Sequence, residues 1–226
     1  MITRLISLMA LCLTLAQSGT QLYVDQTSLG GELYLVNRTY RLTQNYQPDD
    51  LVKPEVKALY SGITMRKEAA GHLEELFLAA QEDGYNLVAV SGYRSYLRQG
   101  AIFNRKVKTT GSKSKAELLV APAGASEHQL GLAMDVARRG STNLNQQFGL
   151  SREGQWLSEN AHRFGFIQRY KTEWTDITGY ANEPWHIRYV GIKHAGAIFQ
   201  MNIPLEEYTQ CLAKIQFGEY LAEGGM

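Results

Sequence analysis

The stretch SEHQLGLAMDVA, residues 126–137, decides what kind of fold and site this chain can form. It places His128, one of only 5 histidines, before Asp135, with Gly131 between them. The apolar run around Asp135 predicts a buried strand, and a carboxylate buried there without a partner is costly. Gly131 permits a tight turn, so the two side chains can converge on a metal ion. The alternative interpretation is an ordinary loop followed by a strand, in which His128 and Asp135 share no functional role.

A second stretch supplies the other groups that such a site needs. NEPWHIRYV, residues 182–190, has His186 at the start of a predicted strand and Glu183 three residues earlier. A catalytic zinc takes three protein ligands and leaves one position for water, whose proton a neighbouring carboxylate can take. Pro184 keeps Glu183 out of helical geometry. The other histidines lie in helical patterns without a matching carboxylate and are predicted to be structural: His72, His162 and His194.

A third stretch carries an arginine at a strand end. SGYRSYLRQ, residues 91–99, directly follows the apolar run NLVAV, so Arg94 can project its guanidinium into a cleft. A guanidinium fork binds a carboxylate through two parallel hydrogen bonds. Taken alone, the motif also fits a surface salt bridge.

The composition is that of an ordinary globular chain and excludes several classes of partner. Of 226 residues, 44% are hydrophobic and 20% are charged, and the formal net charge is +1. Without a basic excess the chain is not expected to bind nucleic acid, and without an acidic excess it is not expected to be disordered. No repeat or linker divides it, so we expect one domain.

The N-terminal residues predict export. Residues 1–16, MITRLISLMALCLTLA, combine a basic residue, an apolar run and a small residue at the end, which is typical of a secretory signal peptide. Residues 17–31 form a predicted polar spacer, and residues 32–226 form the predicted folded domain. With Cys12 inside the signal, Cys211 has no partner for an internal disulfide. We expect an exported protein of the periplasm, the cell wall or the extracellular space, which would contact the membrane only if the signal stays uncleaved.

Apolar residues spaced three and four apart predict helices, and short apolar runs predict strands. The predicted helices cover residues 64–83, 96–107, 152–164, 191–201 and 205–215. The predicted strands cover residues 32–42, 86–91, 132–137 and 185–190, with loops at 45–56 and 109–126. We therefore expect one α+β domain in which helices pack on a small, mainly antiparallel sheet, although these patterns do not fix the strand directions.

Three blocks of this sequence resemble the zinc D-Ala-D-Ala carboxypeptidases of the bacterial cell wall. These are the VanY-like members of a family that also includes the Hedgehog signalling-domain fold. The blocks are SGYRS, SEHQLGLAMDV and the stretch from GFIQRY to NEPWHIRYVG, in family order across roughly residues 33–203. The pattern Ser-x-His-x-x-Gly-x-Ala-x-Asp is met by residues 126–135, and Glu-x-Trp-His by residues 183–186.

The resemblance implies a role for each candidate residue. It implies that one Zn²⁺ per chain is held by His128, Asp135 and His186, and that Glu183 is the general base. It implies that Arg94 binds the terminal carboxylate of the substrate or steadies the developing oxyanion. Two more residues are implied to hold the peptide end: Gln99 and Ser126.

The implied activity is that of a monomeric zinc D,D-carboxypeptidase, which removes the C-terminal D-alanine from peptidoglycan stem peptides. Residues 32–226 would then be the zinc carboxypeptidase domain. An arginine that binds a free carboxylate favours an exopeptidase. Three alternatives stay open: an L,D-carboxypeptidase, a peptidoglycan endopeptidase of the same family, and a non-catalytic, metal-stabilised wall-binding module. Glu183 argues against the last, because a purely structural metal site has no use for a base.

Overall fold

The computed structural model describes the backbone of residues 31–222 and the side chains of residues 31–214. The predicted signal peptide and the predicted spacer up to residue 30 lie outside the described residues. The strands are β1 (Leu51–Val52), β2 (Met65–Arg66), β3 (Leu87–Ser91), β4 (Ala133–Arg138), β5 (Phe166–Gln168) and β6 (His186–Tyr189). The α-helices are α1 (Lys67–Glu82), α2 (Tyr96–Thr110), α3 (Lys113–Leu119), α4 (Gln146–Leu150), α5 (Arg152–Asn160), α6 (Thr175–Thr178), α7 (Ile192–Met201) and α8 (Leu205–Ala222).

A four-stranded antiparallel sheet in the order β3–β4–β6–β5 carries the fold, and helices pack around it. The predicted α+β architecture with a small antiparallel sheet is therefore confirmed. Strands β1 and β2 form a separate antiparallel pair. Strand β4 occupies an inner position, and all its residues except Arg138 are buried, as the apolar run around Asp135 predicts.

Helix α1 supplies one side of the main core. Its buried residues recur at helical spacing and include Leu73, Leu76 and Phe77, which share one hydrophobic cluster with Met134 and Val136 of β4. The predicted helical segment began at residue 64, but residues 65 and 66 form β2, and α1 begins at Lys67. A second cluster joins α7 and α8 to β5 through buried aliphatic side chains: Leu35, Ile167, Ile198, Leu205 and Leu212.

The predicted strand at residues 32–42 is wrong. The segment is irregular, and Asn37 turns the chain by accepting the backbone N–H groups of Thr39 and Tyr40 on its Oδ1. Leu35 and Val36 are nevertheless buried. The alternating apolar residues that suggested a strand therefore pack into the core without joining a sheet.

The loop predicted at residues 109–126 contains helix α3. Ser112 caps this helix by accepting the backbone N–H of Lys115, and Ala116 anchors it through a buried methyl group. The loop predicted at 45–56 contains the short strand β1, and β5 was not predicted at all. The helix predicted at 152–164 ends as α5 at Asn160, and a 3₁₀-helix covers Ala161–Phe164. Among the described helices, none has the length and hydropathy needed to cross a bilayer.

Candidate metal centre

The sheet register brings two of the predicted metal ligands face to face. Asp135 on β4 pairs directly with His186 on β6, and the His186 Nδ1 lies 3.1 Å from the Asp135 Oδ1. His128 reaches the same carboxylate from a 3₁₀-helix at Glu127–Leu130, with its Nε2 3.2 Å from the Asp135 Oδ2. One ligand atom from each of the three residues lies within 4.8 Å of the others, and all three residues are buried.

Gly131 makes the turn between the 3₁₀-helix and β4. Its φ of +72° lies in the left-handed region that glycine adopts without strain. A Cβ at this position would also lie 3.0 Å from the Arg66 Cγ and the Leu51 Cδ2. Backbone conformation and available space therefore both favour glycine where the chain turns from His128 towards Asp135.

The two histidines present different ring nitrogens to the centre. The His128 Nδ1 lies 2.7 Å from the Gly92 carbonyl oxygen, which can only accept, so the proton is on Nδ1 and Nε2 is free to bind a metal. The His186 ring is reversed, because its Nε2 lies 3.3 Å from the Glu127 Oε2 and its Nδ1 faces Asp135. Each imidazole is thus held by the nitrogen that points away from the centre.

The three residues fit a zinc ion. Two ligand atoms bonded to one tetrahedral zinc at about 2.0–2.2 Å lie roughly 3.4 Å apart. The His128–Asp135 and His186–Asp135 separations of 3.2 and 3.1 Å are close to that spacing. Two imidazole nitrogens and one carboxylate oxygen also form a donor set typical of catalytic zinc sites, which keep the remaining position for water.

Without a metal ion, the pKa values of the two histidines are shifted in opposite directions. Burial, with the Arg94 charge adding to it, lowers the pKa of His128 to about 4. Burial alone would also lower the pKa of His186, but hydrogen bonds to Asp135 and Glu127 raise it to about 9. A metal ligand must be unprotonated, so zinc binding at His186 displaces a proton and weakens as the pH falls.

Glu183 lies beside the three ligands without being one of them. Its Oε2 is 3.9 Å from the His186 Nδ1, and 19% of its side chain is exposed. Backbone hydrogen bonds from Glu183 N to the Tyr170 oxygen and from His186 N to the Glu183 oxygen fix the turn that presents it. Burial raises the pKa of Glu183 to about 7, against the opposing effects of His186 and Arg94. A carboxyl group with such a pKa can both take and return a proton near neutral pH.

Arg94 is held at the edge of the metal centre. Its Nη2 donates to the Asp135 Oδ2 at 3.2 Å and to the Ser91 Oγ at 3.0 Å, and its Nη1 donates to the Gln99 Oε1 at 2.7 Å. The Gln99 Nε2 in turn donates to the Ala121 carbonyl oxygen, and this contact fixes the amide whose Oε1 accepts from Arg94. These contacts with described residues use three of the five guanidinium N–H groups, namely both on Nη2 and one on Nη1.

A cleft of about 300 Å³ connects these groups. Its lining includes every residue named as a candidate from the sequence: Arg94, Gln99, Ser126, His128, Asp135, Glu183 and His186. Further lining side chains, to which the sequence analysis assigned no role in the reaction, include Ile102, Lys106, Leu119, Tyr170, Tyr180 and Trp185. The structure therefore brings all the candidates into one cavity of the size that small ligands occupy.

Sequence reasoning missed Glu127, which contacts the candidate metal ligand His186 from the protein interior. This carboxylate is fully buried and contacts His186, Arg169 and Arg188. Burial alone would raise the pKa of Glu127, but the two guanidinium groups hold it below its ordinary value. The signal that would have found it is a charged residue beside a predicted ligand, together with an arginine inside the predicted apolar strand at residues 185–190.

A buried His₂Asp centre with a carboxylate beside it and an arginine at its edge defines a class of protein, the metal-dependent hydrolases. Comparison with known proteins gives the family within this class. The VanY family model, described as D-alanyl-D-alanine carboxypeptidase, matches residues 62–192. The chain belongs to this family.

Two curated proteins illustrate the likeness. The chain is 47% identical over 188 residues to the putative carboxypeptidase YodJ of Bacillus subtilis (strain 168), covering 81% of this chain and 68% of that protein. It is 40% identical over 184 residues to a D-alanyl-D-alanine carboxypeptidase of Enterococcus faecalis (strain ATCC 700802 / V583), covering 78% of this chain and 65% of that protein. The match thus spans about two thirds of each relative.

Two solved structures share the fold. The LD-carboxypeptidase LdcB is similar with a TM-score of 0.75 and 46% identity, over 80% of this chain and 86% of LdcB. A mutant of the vancomycin resistance D,D-pentapeptidase VanY in complex with Zn(II) is similar with a TM-score of 0.65 and 39% identity, over 78% of this chain and 98% of the other. The presence of zinc in the second agrees with the donor set found here.

Proposed function

We propose that the protein is a zinc-dependent D,D-carboxypeptidase that removes the C-terminal D-alanine from peptidoglycan stem peptides. The observation that carries this proposal is the convergence of His128, Asp135 and His186 in a cleft that also holds Glu183 and Arg94. The single cluster of potential ligands within the described residues supports one zinc ion per chain. The zinc-containing D,D-pentapeptidase VanY supports both the metal and the substrate class.

The residues divide the reaction between them. Zinc bound at the three ligands supplies Lewis acidity and an activated water. Glu183 takes the proton of the attacking water and returns it to the leaving amine of D-alanine. Arg94 offers its charged guanidinium as a hydrogen-bond donor to the terminal carboxylate or to the oxyanion that develops at the scissile carbonyl. Ser126, which is buried at the cleft wall, and Gln99 help hold the peptide end.

A second candidate is an L,D-carboxypeptidase, because LdcB has the higher TM-score of the two structures compared above. The discriminating experiment measures D-alanine release from a pentapeptide ending in D-Ala-D-Ala and from a tetrapeptide ending in a single D-Ala. Faster hydrolysis of the pentapeptide is the expected result, and exclusive hydrolysis of the tetrapeptide would establish the second candidate instead.

Removal of the metal is expected to abolish D-alanine release, and added Zn²⁺ to restore it. Zinc at 100 times its dissociation constant should also stabilise the fold by about 2.7 kcal/mol, since it binds only the assembled site. Chelation followed by a thermal unfolding scan and an activity assay measures both effects. Full activity after zinc has been removed to below one ion per hundred chains would refute the proposed function.

Replacement of Arg94 by glutamine is expected to weaken kcat/KM for free-acid peptides by about 10–100-fold, the size of one lost hydrogen bond to a charged group. Peptides with an amidated C-terminus should lose less, so the preference for acid over amide should fall. The matched control is Arg98→Gln, because Arg98 is exposed in the first turn of helix α2, which begins two residues after Arg94. An unchanged acid-to-amide preference in Arg94→Gln, with zinc retained, would remove this role.

The cellular location is a proposal of its own. The apolar N-terminal segment supports export, with residues 1–16 removed and residues 17–31 acting as a spacer before a monomeric domain. Mass spectrometry of the protein isolated from its own cells would identify the mature N-terminus. Recovery of the intact chain in the soluble cytosol would contradict export.

A further inference from the structure

A buried chain of charged side chains runs from the metal centre to the C-terminal helix. Glu127 Oε1 accepts from Arg169 Nε at 2.8 Å and from Arg188 Nη1 at 3.0 Å. Arg169 then donates through both terminal nitrogens to the Glu206 carboxylate, at 2.6 and 2.9 Å. The remaining oxygen of Glu127, Oε2, lies 3.3 Å from His186 Nε2. The cluster holds two carboxylates and two guanidinium groups, so its charges balance without His186.

We propose that Glu127 is a positioning residue that sets the tautomer and the orientation of the metal ligand His186. An ionised carboxylate accepts hydrogen bonds and cannot donate, so the imidazole proton is drawn to Nε2 and the lone pair of Nδ1 faces the metal. The two arginines keep Oε1 occupied, which leaves Oε2 as the oxygen that holds the imidazole. This inference rests on the proposed zinc site and assigns a residue that acts through His186 rather than on the substrate.

The topology explains why one short segment serves two ligands. Glu127 and His128 are neighbours in the 3₁₀-helix, so the segment that brings one histidine to the metal also brings the carboxylate that orients the other. On strand β6, residues two apart face the same side, and His186 and Arg188 therefore both reach Glu127. Arg169 follows β5 and donates its backbone N–H to the His186 oxygen at 3.3 Å.

Glu206 connects this arrangement to the C-terminal part of the fold. It lies in the first turn of α8, where the partial positive charge of a helix N-terminus favours a carboxylate. Its contact with Arg169 keeps that guanidinium in place without touching His186. Glu206 therefore provides a matched control: its substitution disturbs the same buried cluster but leaves the Glu127–His186 contact intact.

The first experiment uses the unmodified zinc-loaded protein. Long-range ¹⁵N–¹H NMR of the imidazoles is expected to show opposite tautomers. The proton should lie on Nδ1 in His128 and on Nε2 in His186. A His186 that carries its proton on Nδ1, or binds zinc through Nε2, would overturn the inference while leaving the zinc site itself intact. Failure of the protein to bind zinc at all would instead count against the proposed function.

The second experiment compares Glu127→Gln with Glu206→Gln. Because two arginines donate to Oε1, the glutamine carbonyl should occupy that position and its NH₂ group should face His186 Nε2. The NH₂ group donates to Nε2, so the imidazole proton moves to Nδ1 and blocks metal binding. We expect Glu127→Gln to weaken zinc affinity about 10–100-fold. Glu206→Gln should change the zinc affinity by less than about threefold, which is well below the effect expected for Glu127→Gln.

Thermal unfolding, near-ultraviolet circular dichroism and the imidazole NMR signals distinguish positioning from a purely structural role. Both variants are expected to unfold at lower temperature, because each removes one carboxylate from a buried cluster. Only Glu127→Gln should change the His186 signals, while the His128 signals stay unchanged. Equal zinc affinity in the two variants, or an unchanged His186 tautomer in Glu127→Gln, would overturn the inference. If Glu127→Gln does not fold, the measurement on the unmodified protein still decides.

Discussion

Replacement of Glu183 by alanine is expected to lower kcat by about 10²–10⁴-fold, the contribution of a positioned general base, while zinc remains bound. The reason is geometric. Glu183 lies 3.9 Å from His186 Nδ1 at the open side of the cluster, but it does not belong to the three residues whose ligand atoms converge. Its loss therefore removes the proton acceptor and leaves the metal-binding atoms in place.

Zinc content by elemental analysis and D-alanine release by the same preparation test this prediction together. Glu173→Ala is the control, because Glu173 is an exposed carboxylate on the segment Thr172–Trp174 and is not among the residues that line the cleft. Normal turnover by Glu183→Ala would show that the base has been wrongly assigned. Loss of zinc from the same variant would make Glu183 a ligand rather than a base.

His186→Ala is expected to lose both zinc and activity. Activity should fall to the level of the zinc-free protein, because the Lewis acidity and the activated water are lost with the metal. The fold should also become less stable, because Asp135 and Glu127 both lose the imidazole that lies between them. Removing one partner of a buried charged cluster costs about 3–5 kcal/mol.

Zinc binding by competition with a chromophoric chelator, thermal unfolding and the release assay measure these three effects. His72→Ala is the matched control, since His72 stacks on Tyr189 and contacts Glu75 away from the cleft. His72→Ala should keep both zinc and activity. Retention of one tightly bound zinc ion by His186→Ala would mean that the metal is held by other residues.

The metal centre was largely predictable because its ligands belong to short, characteristic local patterns. A carboxylate in the middle of an apolar strand needs a partner, and the histidine before Gly131 is close enough in sequence to provide one. His186 is 51 residues from Asp135, and no local pattern relates the two. In the sequence, only the resemblance to the carboxypeptidase family related Asp135 to His186. In the structure, the register of β4 against β6 places them side by side.

The buried charged residues that surround Glu127 behind the metal centre were not predictable in the same way. Arg169, Arg188 and Glu206 have no shared sequence pattern, and they meet because strands β5 and β6 and helix α8 pack at one place. The strand expected at residues 32–42 fails for a related reason. Alternating apolar residues show which side chains are buried, but a strand also needs a neighbouring backbone to pair with, and only the tertiary structure supplies one.

By itself, the sequence predicted which side chains could do chemistry: two imidazoles and a carboxylate to hold zinc, a glutamate to move a proton and an arginine to meet a negative charge. The identity and local spacing of residues suffice for this, because donor type and turn geometry are properties of short segments. The tertiary structure alone decided which ring nitrogen each histidine presents and what holds it there. Those features depend on hydrogen bonds between residues distant in sequence, such as Glu127 with His186 and Gly92 with His128.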